Sequence, residues 1–289
     1  MAVVVATNEN IKAMVEAALA SGAPYNNITN WDVSQVTNFS ELFRNKDAFN
    51  EPLNWDVSNA TNMKGMFNGC RSFNQPLNNW NVSNVTDMQQ MFFACGSFNQ
   101  PLDNWDVSKV ADMHWMFFRC ASFNQPLNNW DVSNVQFMTG MFASCKSFNQ
   151  PLNDWNVSKV YNMSTMFSGC ISFNQPLNNW NVSTVYNMSD MFENCISFNQ
   201  PLNHWNVSNV EFMDNMFKSS GIEEQNKPTI KIRNEIEDGF GHTKNKFKLL
   251  GGRKSRRTRR TRRTRRTRGS RKARKSRRSK GGRKSRKTI

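Results

Sequence analysis

The chain has 289 residues, with 38 Lys plus Arg against 22 Asp plus Glu, so its formal net charge is +16. Residues 251–289 hold 22 of the basic groups and none of the acidic ones, which leaves residues 1–250 with 16 basic and 22 acidic groups. The body is therefore mildly acidic and the tail is a polycation. No stretch approaches the roughly 18 apolar residues of a membrane span, which argues against a transmembrane helix.

Residues 1–24 predict an N-terminal capping helix. We expect Thr7 or Asn8 as its N-cap and Gly22 at its end. One helix face would carry Ile11, Met14, Val15, Ala18 and Leu19. Such a helix can cover the open end of a stack of repeats. The alternative is a signal peptide, but the apolar run 2–6 is shorter than a signal-peptide core and no basic residues precede it.

A 25-residue repeat dominates residues 25–220. It is best read from Phe73 to Ser97, and it returns at Phe98, Phe123, Phe148, Phe173 and Phe198, with an imperfect copy at Phe49. One Trp marks each of eight coils: Trp31, Trp55, Trp80, Trp105, Trp130, Trp155, Trp180 and Trp205. No coil can bury its apolar residues alone, so we expect neighbouring coils to stack into one continuous core. Below, each coil is named by its first Phe.

Within a coil the apolar residues follow two spacings. In the Phe73 coil they recur every three to four residues from Val82 to Cys95, which is typical of a short helix. The segment from Leu77 to Val82 follows Pro76 and suits a short strand. One strand and one helix per coil predict an α/β repeat solenoid, LRR-like, of about eight coils. A propeller is less favoured because its blades need about 40 residues.

The coils share the pattern Trp-[Asn/Asp]-Val-Ser-x-Val-x-x-Met-x-x-Met-Phe-x-x-Cys-x-Ser-Phe-Asn-Gln-Pro-Leu over residues 31–220. This pattern resembles the repeat of the BspA-like leucine-rich-repeat surface proteins, including the related Mycoplasma proteins of unknown function. The resemblance implies an LRR-like solenoid used for protein contact, often on bacterial or protist surfaces. It implies no catalytic residues and leaves the ligand undetermined.

A ladder of six cysteines follows the repeat, at residues 70, 95, 120, 145, 170 and 195. A zinc site needs clustered ligands, whereas this ladder offers single thiols in a line. Disulfides between neighbouring coils remain geometrically conceivable. We expect reduced thiols in the core, because Cys there behaves as a small apolar residue.

Asparagine is frequent at turn positions such as Asn74, Asn79 and Asn81. Asn side chains bond to nearby backbone, and stacked copies can form ladders. The triplets that begin at Asn81 and Asn156 are formal glycosylation acceptors. They follow from the repeat consensus, so we interpret them as by-products of it.

The sequence shows no constellation for catalysis. His114, His204 and His242 are isolated, and no phosphate loop, zinc-protease helix or nucleophile elbow is present. We therefore expect a protein that is not an enzyme and needs no cofactor.

Function in a stack of repeats is expected where the coils differ. Two groups of aromatic residues occupy such variable positions, and we predict them as partner-binding residues. The first would form a stripe along one edge: Phe137, Tyr161, Tyr186 and Phe212. The second would form a patch near the helical arm: Phe93, Trp115 and Phe118. Alternatively, these rings cover the edge of the stack itself or contact the terminal segment.

Residues 221–250 leave the repeat and are predicted as a C-terminal cap and linker, which Ile230, Ile232 and Ile236 could anchor. Residues 251–289 are of low complexity and too highly charged to fold alone, so we expect a disordered basic tail. The expected nucleic-acid contacts are Arg256, Arg257, Arg259, Arg260, Arg262, Arg263, Arg265 and Arg266. Such a tail should bind polyanions without sequence preference.

Other roles of the tail remain open: nuclear targeting, anchoring to acidic membranes or glycans, and packaging. Its Arg/Lys/Ser/Thr composition resembles the C-termini of proteins from large DNA viruses of protists and algae. We predict an interaction scaffold whose repeats bind a protein or glycan and whose tail binds nucleic acid or another polyanion. The alternative is a cell-surface or virion adhesin. A location inside a host cell or in a virion is favoured over secretion.

Overall fold

A computed structural model describes residues 4–22 and 25–229, all of which belong to one unit, Met1–Gly252. The basic tail 251–289, with its eight predicted arginine contacts, lies outside the described residues. The same holds for the residues 230–250 of the predicted cap and linker.

The N-terminal segment forms a strand and a helix over the first coil. Strand β1 (Val5–Thr7) pairs in parallel with β2 (Asp32–Gln35), and helix α1 spans Ile11–Ala20 between them. A 3₁₀ helix, Tyr25–Asn30, leads into β2. The helix buries Ile11, Val15 and Ala18, while Met14 and Leu19 pack partly buried against the core. The predicted helix and its apolar face are confirmed.

The predicted N-cap was wrong, because α1 begins after Asn10 rather than after Thr7 or Asn8. Asn10 Oδ1 accepts the backbone N–H of Thr7 over 2.7 Å, which turns the chain into the helix. Asn8 has another role: its Oδ1 accepts the backbone N–H groups of Thr37 and Asn38 at 3.0 and 3.1 Å. The N-terminal segment is therefore joined by hydrogen bonds to the first coil.

Successive coils pair through single parallel bridges in steps of one repeat: Asn38 with Asn62, and then Asp87, Asp112, Phe137, Asn162, Asn187 and Phe212 in turn. After each bridge the backbone N–H groups alternate between two kinds of partner. In residues 88–94 the even-numbered N–H groups donate to carbonyls of the next coil, over 2.6–3.3 Å. The N–H groups of residues 91, 93 and 95 donate three residues back instead. Each coil is thus tied to its neighbour along this arm.

This arm corrects our expectation of a short strand and a short helix in each coil. The Phe73 coil has one bridging residue and a series of turns, with no helix or strand. The reason is a left-handed backbone at two positions four residues apart, φ 59° at both Gln90 and Ala94. A left-handed residue every fourth position prevents a right-handed helix from continuing. Glycine takes these positions at Gly65, Gly69, Gly140 and Gly169.

The core consists of columns of identical side chains that run through the coils. In the Phe73 to Phe173 coils, the Phe, Met and Cys of the repeat are completely buried. Trp130 stacks between Trp105 and Trp155, with ring centroids 6.4 and 6.5 Å apart and interplanar angles of 1° and 0°. Its Nε1–H also donates to the carbonyl of Leu102 in the preceding coil, over 2.9 Å. The Trp residues therefore hold neighbouring coils together by both stacking and hydrogen bonding.

A polar column runs beside the apolar ones. The Oδ1 of Asn74 accepts the backbone N–H of Asn99 over 2.9 Å, and the same bond recurs from coil to coil up to Asn199. Our interpretation of these residues as a ladder is confirmed.

The repeat pattern also extends beyond residue 220, where we expected it to end. Glu223 N–H donates to Asn199 Oδ1 over 2.9 Å, as the next Asn of the ladder would. The buried Ile222 precedes it, and a short 3₁₀ helix, Glu224–Asn226, follows. The first residues of the predicted cap thus begin a ninth coil.

Candidate partner-binding surface

The predicted stripe is exposed but not uniform. Phe137, Tyr161 and Phe212 expose 39%, 49% and 40% of their surface, and Tyr186 is half-buried. The Tyr161 and Tyr186 rings stack at 5.1 Å with an angle of 4°, and Phe212 meets Tyr186 edge-on at 5.1 Å. Phe137 has no ring partner among the described residues. The structure therefore brings three of these four rings into contact.

Tyr186 has a carboxylate neighbour on this stripe. Partial desolvation, followed by a hydrogen bond with Glu211, raises the pKa of the Tyr186 phenol. The phenol hence stays protonated and bound to a carboxylate, so the stripe contains polar groups beside its rings.

The second predicted group forms a cluster of half-buried rings. Phe93 and Phe118 stack at 4.6 Å, and Trp115 lies 6.3 Å from both. His114 meets Trp115 edge-on at 4.7 Å, and the Arg119 guanidinium lies 5.1 Å above the Phe118 ring. Trp115, Phe118 and Phe93 are brought together, as predicted.

Trp115 has an unusual backbone and an unusual neighbour. Its φ is 54°, a left-handed conformation that is rare for a bulky residue. Its indole packs against Gly140 of the next coil so closely that a Cβ there would lie 2.5 Å from Nε1. Gly140 therefore provides the space that the Trp115 ring occupies. Strain of this kind is often found at functional positions.

The two groups lie on one arm of the stack. Met113 N–H donates to the carbonyl of Phe137 over 3.0 Å, and Trp115 N–H donates to that of Thr139 over 2.9 Å. Phe137 thus follows directly on the cluster around Trp115. Six consecutive coils, from the Phe73 coil to the Phe198 coil, each contribute at least one of these rings, and we call the set the aromatic band: Phe93, Trp115, Phe118, Phe137, Tyr161, Tyr186 and Phe212. Sequence reasoning separated two groups because the rings shift position within the repeat.

Two members of the band replace a structural Asx residue. At the bridge position the other coils carry Asn or Asp, whose Oδ1 accepts the backbone N–H two residues later, as from Asp112 to His114 over 2.9 Å. Phe137 and Phe212 cannot accept this bond. The backbone N–H groups of Thr139 and Asp214 consequently lack a partner within the described chain.

The side chains of Thr139 and Asp214 are unsatisfied as well. Thr139 Oγ1 and Asp214 Oδ1 are the buried side-chain polar atoms without a hydrogen-bond partner in residues 4–22 and 25–229. Each of the two Phe rings therefore lies two residues from an unpaired N–H donor and an unpaired oxygen. A buried polar group without a partner is costly, and such groups in folded proteins often mark a function. Nothing in the sequence pattern pointed to these two residues.

The predicted core thiols are found: all six cysteines are free and buried. Each Sγ–H donates to a Phe carbonyl of the preceding coil, for example Cys120 to Phe92 over 2.9 Å. Burial raises the pKa of the thiols, to about 12 at Cys70 and Cys195. A thiol with a raised pKa is a poor nucleophile at neutral pH, so the ladder has a packing role.

Two further searches covered residues 4–22 and 25–229. There, no group of three or more His, Cys, Asp or Glu side chains is arranged to hold a metal ion. The same residues include no helix that is long and apolar enough to cross a membrane.

Stacked 25-residue coils with a variable surface define the molecule as a repeat protein. The family described as "Mycoplasma protein of unknown function, DUF285" matches residues 9–130 and again residues 111–231. These matches cover more than half of the chain, and the protein belongs to this family. No curated protein and no solved structure matches it.

Proposed function

We propose that the protein is a non-enzymatic interaction scaffold with two binding parts. The repeats form an LRR-like solenoid, related to the BspA-like surface proteins, and contact a macromolecular partner through the aromatic band. The tail, residues 251–289, binds nucleic acid or another polyanion without sequence preference.

The observation that carries the first part is the aromatic band itself. The core columns repeat with little variation, whereas the band places exposed or half-exposed rings on six consecutive coils. Rings such as Tyr161, at 49% exposure, gain little from packing within their own coil. Exposed aromatic groups in contact with one another are typical of partner surfaces.

The second part rests on charge. The tail has 22 basic groups and no acidic ones, while the described body has 19 Asp plus Glu and 11 Lys plus Arg. Binding to nucleic acid by such a tail releases counterions, so affinity should fall steeply with salt, by about 0.9 log units per phosphate contact per log unit of salt on duplex DNA. The tail has no aromatic residue, so base stacking is not expected.

Fluorescence anisotropy on random-sequence DNA, RNA and heparin tests the division of roles. The full chain and a shortened protein that ends at Leu250 would be titrated at several salt concentrations. We expect only the full chain to bind nucleic acid, with a steep salt slope and little sequence preference. Equal binding by both proteins would refute the role of the tail. A strong preference for heparin over nucleic acid would favour the adhesin alternative.

A further inference from the structure

We infer that the aromatic band binds an extended, uncharged polysaccharide, with subsites at Phe137 and Phe212. This inference rests on the proposed function of the band as the partner surface and names the chemistry of its ligand.

The two subsites combine the groups that a sugar needs. At each of them an exposed Phe ring offers a face for the C–H groups of a pyranose. Two residues further on are an unpaired backbone N–H and an unpaired side-chain oxygen, at Thr139 and at Asp214. A sugar hydroxyl both donates and accepts, so a single hydroxyl can pair with both groups. An apolar ligand would leave them unpaired, at a cost in binding free energy.

The rings between the two subsites suit a ligand with a regular repeat. Phe137 and Phe212 stand three coils apart, and Tyr161 and Tyr186 come from the two coils between them. Neighbouring rings follow one another at 5.1 Å, from Tyr161 to Tyr186 and from Tyr186 to Phe212. This step is comparable with the length of one sugar unit in an extended chain. Tyrosine adds a hydroxyl to each ring, as amphipathic recognition surfaces commonly do.

Charge argues for a neutral ligand. Carboxylates at Asp112, Glu211 and Asp214 accompany the band, while Arg119 lies over Phe118 at its far end. Lys218, in the same coil as Phe212, is paired with Glu193 at 2.8 Å. A polyanion such as nucleic acid would meet unfavourable carboxylates here, so its binding belongs to the tail.

The test measures binding of cellohexaose, chitohexaose and mannohexaose to the full chain by isothermal titration calorimetry. The variant is the double substitution Phe137→Asn with Phe212→Asn, which gives both coils the bridge residue that Asn162 and Asn187 provide elsewhere. Because the repeat already accommodates Asn there, the variant should fold. Ile196→Ser is the matched control, since Ile196 exposes 65% of its surface away from the band.

We expect at least one hexasaccharide to bind the wild-type chain and the Ile196→Ser control equally, and the double variant to bind about tenfold more weakly or worse. No binding of any hexasaccharide at about millimolar concentration would overturn the inference, and so would equal binding by the double variant. An array of unstructured peptides separates the two levels of the proposal. Peptide binding that the double variant loses, without sugar binding, would reject the polysaccharide and retain the band as partner surface.

Discussion

Gly140 and Gly65 occupy the same position in two coils, with φ of 58° and 59°, yet their surroundings differ. A Cβ at Gly65 would meet only the Glu41 side chain, at 3.4 Å, whereas one at Gly140 would overlap the Trp115 indole. Gly65→Ala should therefore cost only the left-handed backbone, about 1 kcal/mol. Gly140→Ala should also displace Trp115, as an overpacked side chain would be, for a total of about 2–4 kcal/mol.

Urea unfolding of both variants measures this difference, provided that the slope with denaturant is unchanged. Trp115→Gln supplies the double-mutant cycle, since Gln90 already holds this position at φ 59°. In that background Gly140→Ala should cost no more than Gly65→Ala, because only the Thr165 hydroxyl, 3.2 Å away, would have to adjust. Equal costs for the two glycines in the wild-type chain would refute the packing role of Gly140, and so would a full penalty that persists without Trp115.

Three further predictions concern the columns. Trp130→Phe should lower the free energy of unfolding by about 2 kcal/mol in urea titrations, because it removes the N–H bond to Leu102 and part of a stacked ring. Cys120 and the other thiols should not react with a thiol reagent such as DTNB at pH 8 until denaturant unfolds the chain, since all are buried. Hydrogen bonds from the hydroxyl and the N–H of Ser108 hold the pKa of Asp106 below its ordinary value of 3.8. The stabilisation they provide is present above that value and is lost as the pH falls through the lowered pKa, so Asp106→Asn should reduce the loss of melting temperature on acidification.

The repeat and its core were predictable because they depend on spacing. One Trp in each coil sets the register, and residues committed to packing recur identically from Phe73 to Phe198. The apolar face of α1 was equally legible in the residues from Ile11 to Leu19. These features follow from which side chains avoid water, a property that sequence displays directly.

The conformation of the second arm was not predictable in the same way. A spacing of three to four residues fits a helix, but a series of turns with left-handed residues at Gln90 and Ala94 has a similar apolar period. The signal that distinguishes them is glycine at the same positions in other coils, such as Gly65 and Gly69. Only some coils use glycine there, so the signal was easily missed.

The binding surface was predictable in its residues but not in its continuity. The sequence singled out Trp115 and Phe137 because they depart from the consensus. Their proximity depends on which coil pairs with which residue, as in the bond from Trp115 to Thr139. The unpaired groups at Thr139 and Asp214 could be recognised only once the Asx bonds of the other coils were known.

Hydrogen exchange on the full chain tests the division between band and tail most directly. The amides of Thr139 and Asp214 lack partners, whereas that of Gln89 is bonded to Asp87 over 2.9 Å and serves as the internal control. We expect cellohexaose to slow exchange at Thr139 and Asp214, and duplex DNA to leave both unchanged. Slower exchange there with DNA, or unchanged exchange with the sugar, would contradict the assignment of polysaccharide to the band and nucleic acid to the tail.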